Sequence, residues 1–189
     1  MMPFFSIHLR RCRVLLPLAV LCALAGPLTG GEVSREYQLK AAFLFNFAKF
    51  VEWPNRDLAN NDRPIVIGVF RTNPFGGVLE KSVAGRKING HPVVVSHVDT
   101  ASAARRAHLL FVGAAQDPAV AELTASLKGA QVLTVGETTT FARCGGIITF
   151  KLQDDSVRFT INPQASRDAG IKISAQLQKL ASKTDGKSQ

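Results

Sequence analysis

The chain has 189 residues, 23 of them basic and 14 acidic, for a formal net charge of +9. That length holds one domain of ordinary size, with enough core to fold without disulfide staples. The basic residues are scattered in short groups, with no run of five and only one Tyr and one Trp to interleave, which excludes the clustered stripe a nucleic-acid surface needs.

The N-terminus has the layout of an export signal. Arg10, Arg11 and Arg13 precede an apolar run over 14–25, broken only by Pro17 and closed by Ala23-Leu24-Ala25. A basic flank, an apolar core of about 7–15 residues and a small-x-small exit predict a cleavable signal peptide over 1–25. The run is shorter than the roughly 20 apolar residues that span a bilayer, which argues against a retained anchor. Cys22 follows Leu21, whereas a lipoprotein signal has a small residue there. Cleavage removes three of the 23 basic residues and none of the 14 acids, lowering the charge to +6, and takes Cys12 and Cys22 with it. Cys144 then stands alone. It allows no internal disulfide and reads as a small buried apolar residue.

In chain order, 32–53 reads as a helix, with Leu39, Phe43, Phe47, Phe50 and Val51 at helical spacing and Glu36 and Lys40 as an i,i+4 pair. The stretch from Ala41 to Val51 is apolar nearly all round, leaving Asn46 and Lys49 as its polar strip, and Pro54 stops the helix. A polar linker covers 56–62. Residues 64–70 form a continuous apolar run, as in a strand buried on both faces. Asn73-Pro74-Phe75-Gly76-Gly77 is a turn before a short helix at 78–83. Strands follow at 87–88 and 92–98, a helix at 101–107, and a buried strand at 109–113. Asp117-Pro118 opens a helix to Lys128, with the Asp as N-cap and Gly129 as the stop. A strand at 132–135 and a helical turn at 138–143 come next.

The rhythm then changes. Residues 147–152 and 156–161 are two strands joined by Gln153-Asp154-Asp155, a hairpin. Closing helices are predicted at 163–172 and 174–181, and 182–189 is a polar, disordered tail. This order predicts an α/β fold: a layered sandwich with a mostly parallel sheet, an antiparallel C-terminal hairpin and flanking helices, all in a single domain over 26–181.

Few residues have the spacing of a reactive constellation. His91, His97 and His108 lack a second His or Cys at metal-ligand spacing. No nucleophile turn of the G-x-S-x-G type occurs, and the Asn73–Gly77 turn lacks both a Walker lysine and a G-x-G-x-x-G. Asp154 and Asp155 fall at a hairpin tip, where acids serve as solvated turn residues. Cys144 beside Arg143 has no histidine near it in sequence to make it a nucleophile. The residues alone stop at an exported α/β domain that binds something, with no constellation for an enzyme, a cofactor or a metal; an enzyme with an unrecognised site is the last-placed rival.

A resemblance extends this reading. The segment Leu39-Lys40-Ala41-Ala42-Phe43-Leu44-Phe45-Asn46-Phe47-Ala48-Lys49-Phe50-Val51-Glu52-Trp53-Pro54 closely resembles the opening signature of the YfiR-like (DUF4154) periplasmic proteins. Phe43, Asn46, Phe47, Lys49, Phe50, Trp53 and Pro54 are the signature positions within it. Ile67-Gly68-Val69 with Asn73-Pro74-Phe75-Gly76, Val132-Leu133-Thr134-Val135-Gly136, Phe141 with Gly145-Gly146-Ile147-Ile148, Val157-Arg158-Phe159 with Ile161-Asn162, and Gly170-Ile171-Lys172-Ile173-Ser174-Ala175-Gln176-Leu177 follow in family order.

The resemblance implies a periplasmic regulator that binds and restrains the sensory domain of an inner-membrane diguanylate cyclase, and so controls cyclic-di-GMP signalling and biofilm formation. It further implies an outer-membrane lipoprotein that sequesters the repressor, and homodimers. Redox control through internal disulfides, known in some relatives, has no basis in a chain left with Cys144 alone. On this reading the partner surface lies on the last hairpin and helices, with Phe150, Phe159 and Ile171 as apolar contacts and Arg158, Asn162 and Lys172 as a polar rim. The competing reading makes Phe150 and Phe159 cross-strand core partners and Asn162 a helix cap. The alternative function is a periplasmic small-molecule-binding module with no cyclase partner, its pocket at the carboxyl ends of the strands.

Overall fold

A computed structural model describes residues 33–53 and 63–185; the expected signal peptide, Pro54 and the 56–62 linker lie outside the described residues. The first helix, α1 (Arg35–Lys49), starts at Ser34, whose side chain accepts from the Tyr37 N–H. It is shorter than the predicted 32–53. Its last residues instead form β1 (Val51–Glu52), which pairs antiparallel with β9 (Lys172–Ile173).

Between these ends run β2 (Ile65–Phe70), α2 (Val78–Val83), β3 (Lys87–Ile88), β4 (His91–Val98), α3 (Ala101–Ala104), β5 (Leu109–Val112), α4 (Val120–Ser126), β6 (Leu133–Gly136), α5 (Thr139–Arg143), β7 (Ile148–Gln153), β8 (Ser156–Ile161), α6 (Pro163–Asp168) and finally α7 (Ala175–Asp185). The main sheet has the order β3-β4-β2-β5-β6-β7-β8. Strands β4, β2, β5, β6 and β7 are parallel, and β3 and β8 add antiparallel edges. Predicted class and observed architecture agree.

Two apolar layers sandwich the sheet. Leu44 and Phe47 of α1, Leu79 and Val83 of α2 and Leu177 of α7 pack on Ile65, Ile67, Val69, Phe111, Leu133, Phe150 and Phe159. On the opposite face Ala104, Val120, Leu123 and Phe141, from α3, α4 and α5, pack on Phe70, Val98, Leu110 and Val112. The continuous apolar runs of β2, β5 and β6 reflect this covering of both faces. Phe141 lies flat over two glycines. A Cβ on Gly136 would sit 2.5 Å from its ring, and one on Gly146 nearer still.

Several local expectations are corrected. Asp117 does not cap a helix: it sits in a 3-10 turn (Ala114–Ala119) and accepts from the Thr138 hydroxyl at 2.5 Å, while Thr138 caps α5. The 101–107 helix ends at Ala104. Lys172 lies on β9, because Gly170, at φ 72°, ends α6 early and the chain re-extends to pair with β1. Helix α7 runs on to Asp185, past the predicted tail boundary, and 186–189 lie outside the described residues. Cys144 is half-buried at the C-cap of α5 rather than fully enclosed. The hairpin is as predicted. Asp154 and Asp155 both have positive φ, the pattern of a two-residue type I′ turn.

Candidate functional site

Glu137 follows β6 directly, at the carboxyl end of the parallel sheet. Its side chain is only 7 % exposed and ties three elements together. Oε2 accepts from Lys40 Nζ of α1. Oε1 accepts from the Tyr37 hydroxyl at 3.1 Å and from the Ala114 N–H, just after β5, at 2.8 Å. Lys40 is equally enclosed, at 6 % exposure, and also pairs with Glu36 at 2.5 Å, one helical turn away. Its ammonium lies 4.6 Å from the Tyr37 ring centroid, a cation–π contact. A buried lysine needs such partners, since desolvation otherwise drives it to the neutral form.

Burial, followed by the Glu137 charge and hydrogen bond, raises the Tyr37 pKa well above its ordinary value, so the phenol stays protonated and donates. One strand over, Gln116 Nε2 donates to Thr72 Oγ1 at 3.0 Å. That bond joins the loops after β2 and β5, where crossovers leave in opposite directions and ligands of open α/β sheets commonly bind.

Two open clefts flank this group. One, of about 560 Å³, is lined by Tyr37, Lys40, Glu137, Thr149, Phe150 and Leu152 among others. The second, of about 580 Å³, lies between α1 and the hairpin and is lined by Arg35, Leu39, Phe43, Leu152, Asp155 and Val157 together with Glu36. Glu36 and Leu152 border both. Leu152, between the two clefts, is 59 % exposed and Leu39, on the rim of the second, 42 %, so large apolar side chains meet solvent there beside a cleft.

The hairpin residues expected to form a partner surface are placed differently. Phe150 and Phe159 are directly opposed cross-strand neighbours and both are buried. The rings of Phe43 and Phe47 cover them at centroid separations of 4.8 to 6.0 Å. Ile171 is buried as well. These three are therefore corrected from surface to core, because α1 and α7 cover that face of the hairpin. Asn162 caps α6, its Oδ1 accepting from the Ala165 N–H at 3.0 Å. Arg158 and Lys172 are exposed.

Of the signature residues, Phe47 and Trp53 are buried, Phe43 and Phe50 half-buried, and Asn46 and Lys49 exposed. Trp53 meets the His108 ring edge-on at 5.5 Å, and its buried indole Nε1 has no hydrogen-bond partner among the described residues. Sequence reasoning did not single out Glu137, Tyr37 or Leu152. The available signal was a carboxylate placed directly after a buried parallel strand and just before a helix cap. Among the described residues no group of His, Cys, Asp and Glu has the arrangement to hold a metal ion, and no helix is long and apolar enough to cross a membrane.

Fold and site together define a three-layer α/β domain with its carboxyl edge closed by a shared carboxylate. The chain belongs to the YfiR/HmsC-like family: the model of that family, DUF4154, matches residues 37–182. No curated protein matches the chain. Among solved structures, a conserved domain protein from Vibrio cholerae O1 biovar El Tor is similar at 14 % identity and a TM-score of 0.52, covering 75 % of this chain and 58 % of that one. An ABC domain in complex with L-Trp from Streptococcus pneumonia is similar at 13 % identity and a TM-score of 0.52, covering 75 % and 59 %. The chain thus spans under two thirds of these structures, and at such identities the likeness shows the fold alone.

Proposed function

We propose that this protein is a periplasmic regulator that binds the sensory domain of an inner-membrane diguanylate cyclase and restrains it, lowering cyclic-di-GMP and biofilm formation, and that an outer-membrane lipoprotein relieves the restraint by sequestering it. Export is by the signal peptide over 1–25. The observation that carries the reading is membership of the YfiR/HmsC-like family across nearly the whole described domain.

The surface supports a protein partner. Leu152 stands exposed where the two clefts meet and Leu39 on the rim of the second, while the polar groups beside them are spent on one another. Covering two half-exposed leucines contributes roughly 1 kcal/mol each. Restraint further requires that the bound surface favour one sensor conformation over another. Loss of the gene raises cyclic-di-GMP on this reading, and Leu152→Asp reproduces that loss while the purified variant melts with the parent. Unchanged cyclic-di-GMP in the deletion strain refutes it.

The 560 Å³ cleft, with the enclosed Lys40–Glu137 pair at its floor, favours a second reading as a small-molecule-binding module. A ligand retained in native mass spectrometry, together with an unchanged cyclic-di-GMP level in the deletion strain, selects that reading over the first.

A further inference from the structure

The charges of the domain divide between the two ends of its sheet. Strands β4, β2, β5, β6 and β7 run parallel and side by side, so their starts share one end, the amino end. Basic residues stand there strand by strand. Lys87 faces Pro92 at the start of β4, Arg63 precedes β2, Arg105 and Arg106 precede β5, Lys128 precedes β6 and Arg143 precedes β7. All are exposed. Neighbouring strands lie about 4.8 Å apart, so residues scattered in the sequence form a row about 20 Å long. Contacts tie its members together. Arg105 donates to the Ser126 carbonyl, just before Lys128, and Lys128 borders one small cavity with Cys144, the neighbour of Arg143.

The other end is acidic. Asp99 follows β4, Asp117 follows β5, Glu137 follows β6, and Asp154 and Asp155 follow β7; Arg71, after β2, departs from the pattern. The described acids at the amino end are Glu52 and Asp168. Each has a basic neighbour, Lys172 across the β1–β9 pair and Arg167 beside it in the chain. Helix ends explain part of the row. Helices α3, α4 and α5 finish at the amino end, where basic residues offset the partial negative charge of the last carbonyls. That offset fades within a turn and does not account for Lys87, on β3, or Lys172, on β9.

An acidic protein partner requires an apolar centre as well, because exposed charges steer association more than they hold it. The exposed large apolar side chains of the described residues are Leu39, Val94, Leu152 and Leu180, and none lies in the segments that carry the row. No aromatic is among them, so the bases of a nucleic acid find nothing there to stack on. A bilayer with anionic headgroups asks for neither. It favours a broad row of Lys and Arg, at about fivefold in binding for each residue near the surface. We propose that the amino end of the sheet docks on an anionic phospholipid surface, with the row against headgroup phosphates. The acidic carboxyl edge and its two clefts then face away from the bilayer, which also keeps the acids from like-charge repulsion. This docking goes beyond the regulator reading and stands without it, since no partner protein takes part.

The test is co-sedimentation of the full chain with vesicles of phosphatidylglycerol and phosphatidylcholine in equal parts, against phosphatidylcholine alone. The quantity read is the ratio of the two partition coefficients. Apolar insertion by the N-terminal segment enters both vesicle types alike, and its arginines are common to every chain compared. Lys87→Glu with Lys128→Glu and Arg143→Glu lowers the ratio by about 100-fold or more, at about fivefold or more for each residue. Arg71→Glu with Lys151→Glu and Arg158→Glu makes the same change in net charge away from the row and lowers the ratio by less than about tenfold. The parent's ratio falls steeply between about 50 mM and about 500 mM salt. A parent with no preference for anionic vesicles, comparable losses in the two triple variants, or a ratio indifferent to salt overturns the proposal. Binding to heparin without binding to the anionic vesicles makes the row a polyanion site and overturns it as well. Lys87→Glu alone, which lowers the ratio about fivefold or more, decides should the triple variant fail to fold.

Discussion

Replacing Glu137 by Ala isolates the one carboxylate on which the carboxyl edge converges. The change leaves Lys40 with Glu36 alone and takes the acceptor from the Tyr37 hydroxyl and the Ala114 N–H. Breaking a buried pair from one side costs about 3–5 kcal/mol. Glu36 is a third exposed and keeps part of the ammonium's partnership, and the cleft admits water to the freed donors, so the lower end applies: about 3 kcal/mol. For a domain of this size each kcal/mol moves the melting temperature by about 2–4 °C, giving a drop of roughly 6–12 °C. Glu36→Ala removes the half-buried i,i+4 partner but leaves Lys40 paired with Glu137, and costs about 1 kcal/mol or less. Urea unfolding followed by circular dichroism measures both. Lys40→Met and Glu137→Gln, measured singly and together, make a double-mutant cycle, and the double variant is more stable than the sum of the single losses implies, since it leaves no deeply buried charge unpaired. A loss below about 1 kcal/mol for Glu137→Ala, or strict additivity in the cycle, refutes a buried pair as the tie between α1 and β6.

The chain's single tyrosine makes Tyr37 directly readable. Its folded pKa is raised, so above the ordinary value of 10.0 the unfolded chain gives up a proton that the folded chain keeps. Stability is therefore full below pH 10 and declines above it; tyrosinate absorbance appears only with unfolding, and Tyr37→Phe flattens the decline. Gly146→Ala drives a methyl into the Phe141 ring and costs about 1–3 kcal/mol by overpacking, read as a lower urea midpoint at unchanged slope. Asn162→Ala removes the α6 cap and costs about 1 kcal/mol in the same assay.

Local pattern accounts for what the sequence made legible, and non-local packing for what it did not. The runs at β2, β5 and β6 are apolar throughout because both faces are covered, and that is visible without coordinates. The hairpin tip is equally local, since Asp154-Asp155 suit the left-handed turn they adopt. Which face of the hairpin α1 and α7 would cover is not a local property, so Phe150 and Phe159 read equally well as surface or core. Lys172 read as helical because its neighbours have helical spacing, yet its partner Glu52 lies far away in sequence. The Glu36–Lys40 pair was legible as helix spacing. That Lys40 is buried was not, because the cause is Glu137, nearly a hundred residues on.

The opening signature illustrates how a family pattern mixes scaffold with function. Its aromatic positions face inward: Phe43 and Phe47 pack on Phe150 and Phe159, and Trp53 packs on His108. Lys40 reaches the carboxyl edge of the sheet, while Trp53 sits beside His108, just before β5, at the amino edge. One segment thus fastens both ends of the domain, and most of its side chains are committed to holding the sheet. Leu39 is the apolar position in the segment that faces solvent at the cleft rim, so it separates the two roles. Phe47→Ala opens the core and costs about 3–5 kcal/mol, and any regulatory defect it causes follows its lost stability. Leu39→Asp leaves the melting temperature within a degree or two of the parent, because an exposed position away from caps and pairs changes stability by about 0.5 kcal/mol or less. If the rim is the docking surface, Leu39→Asp raises cyclic-di-GMP in the cell as far as deletion does. A folded Leu39→Asp chain that still represses moves the contact elsewhere and leaves the signature as scaffold alone.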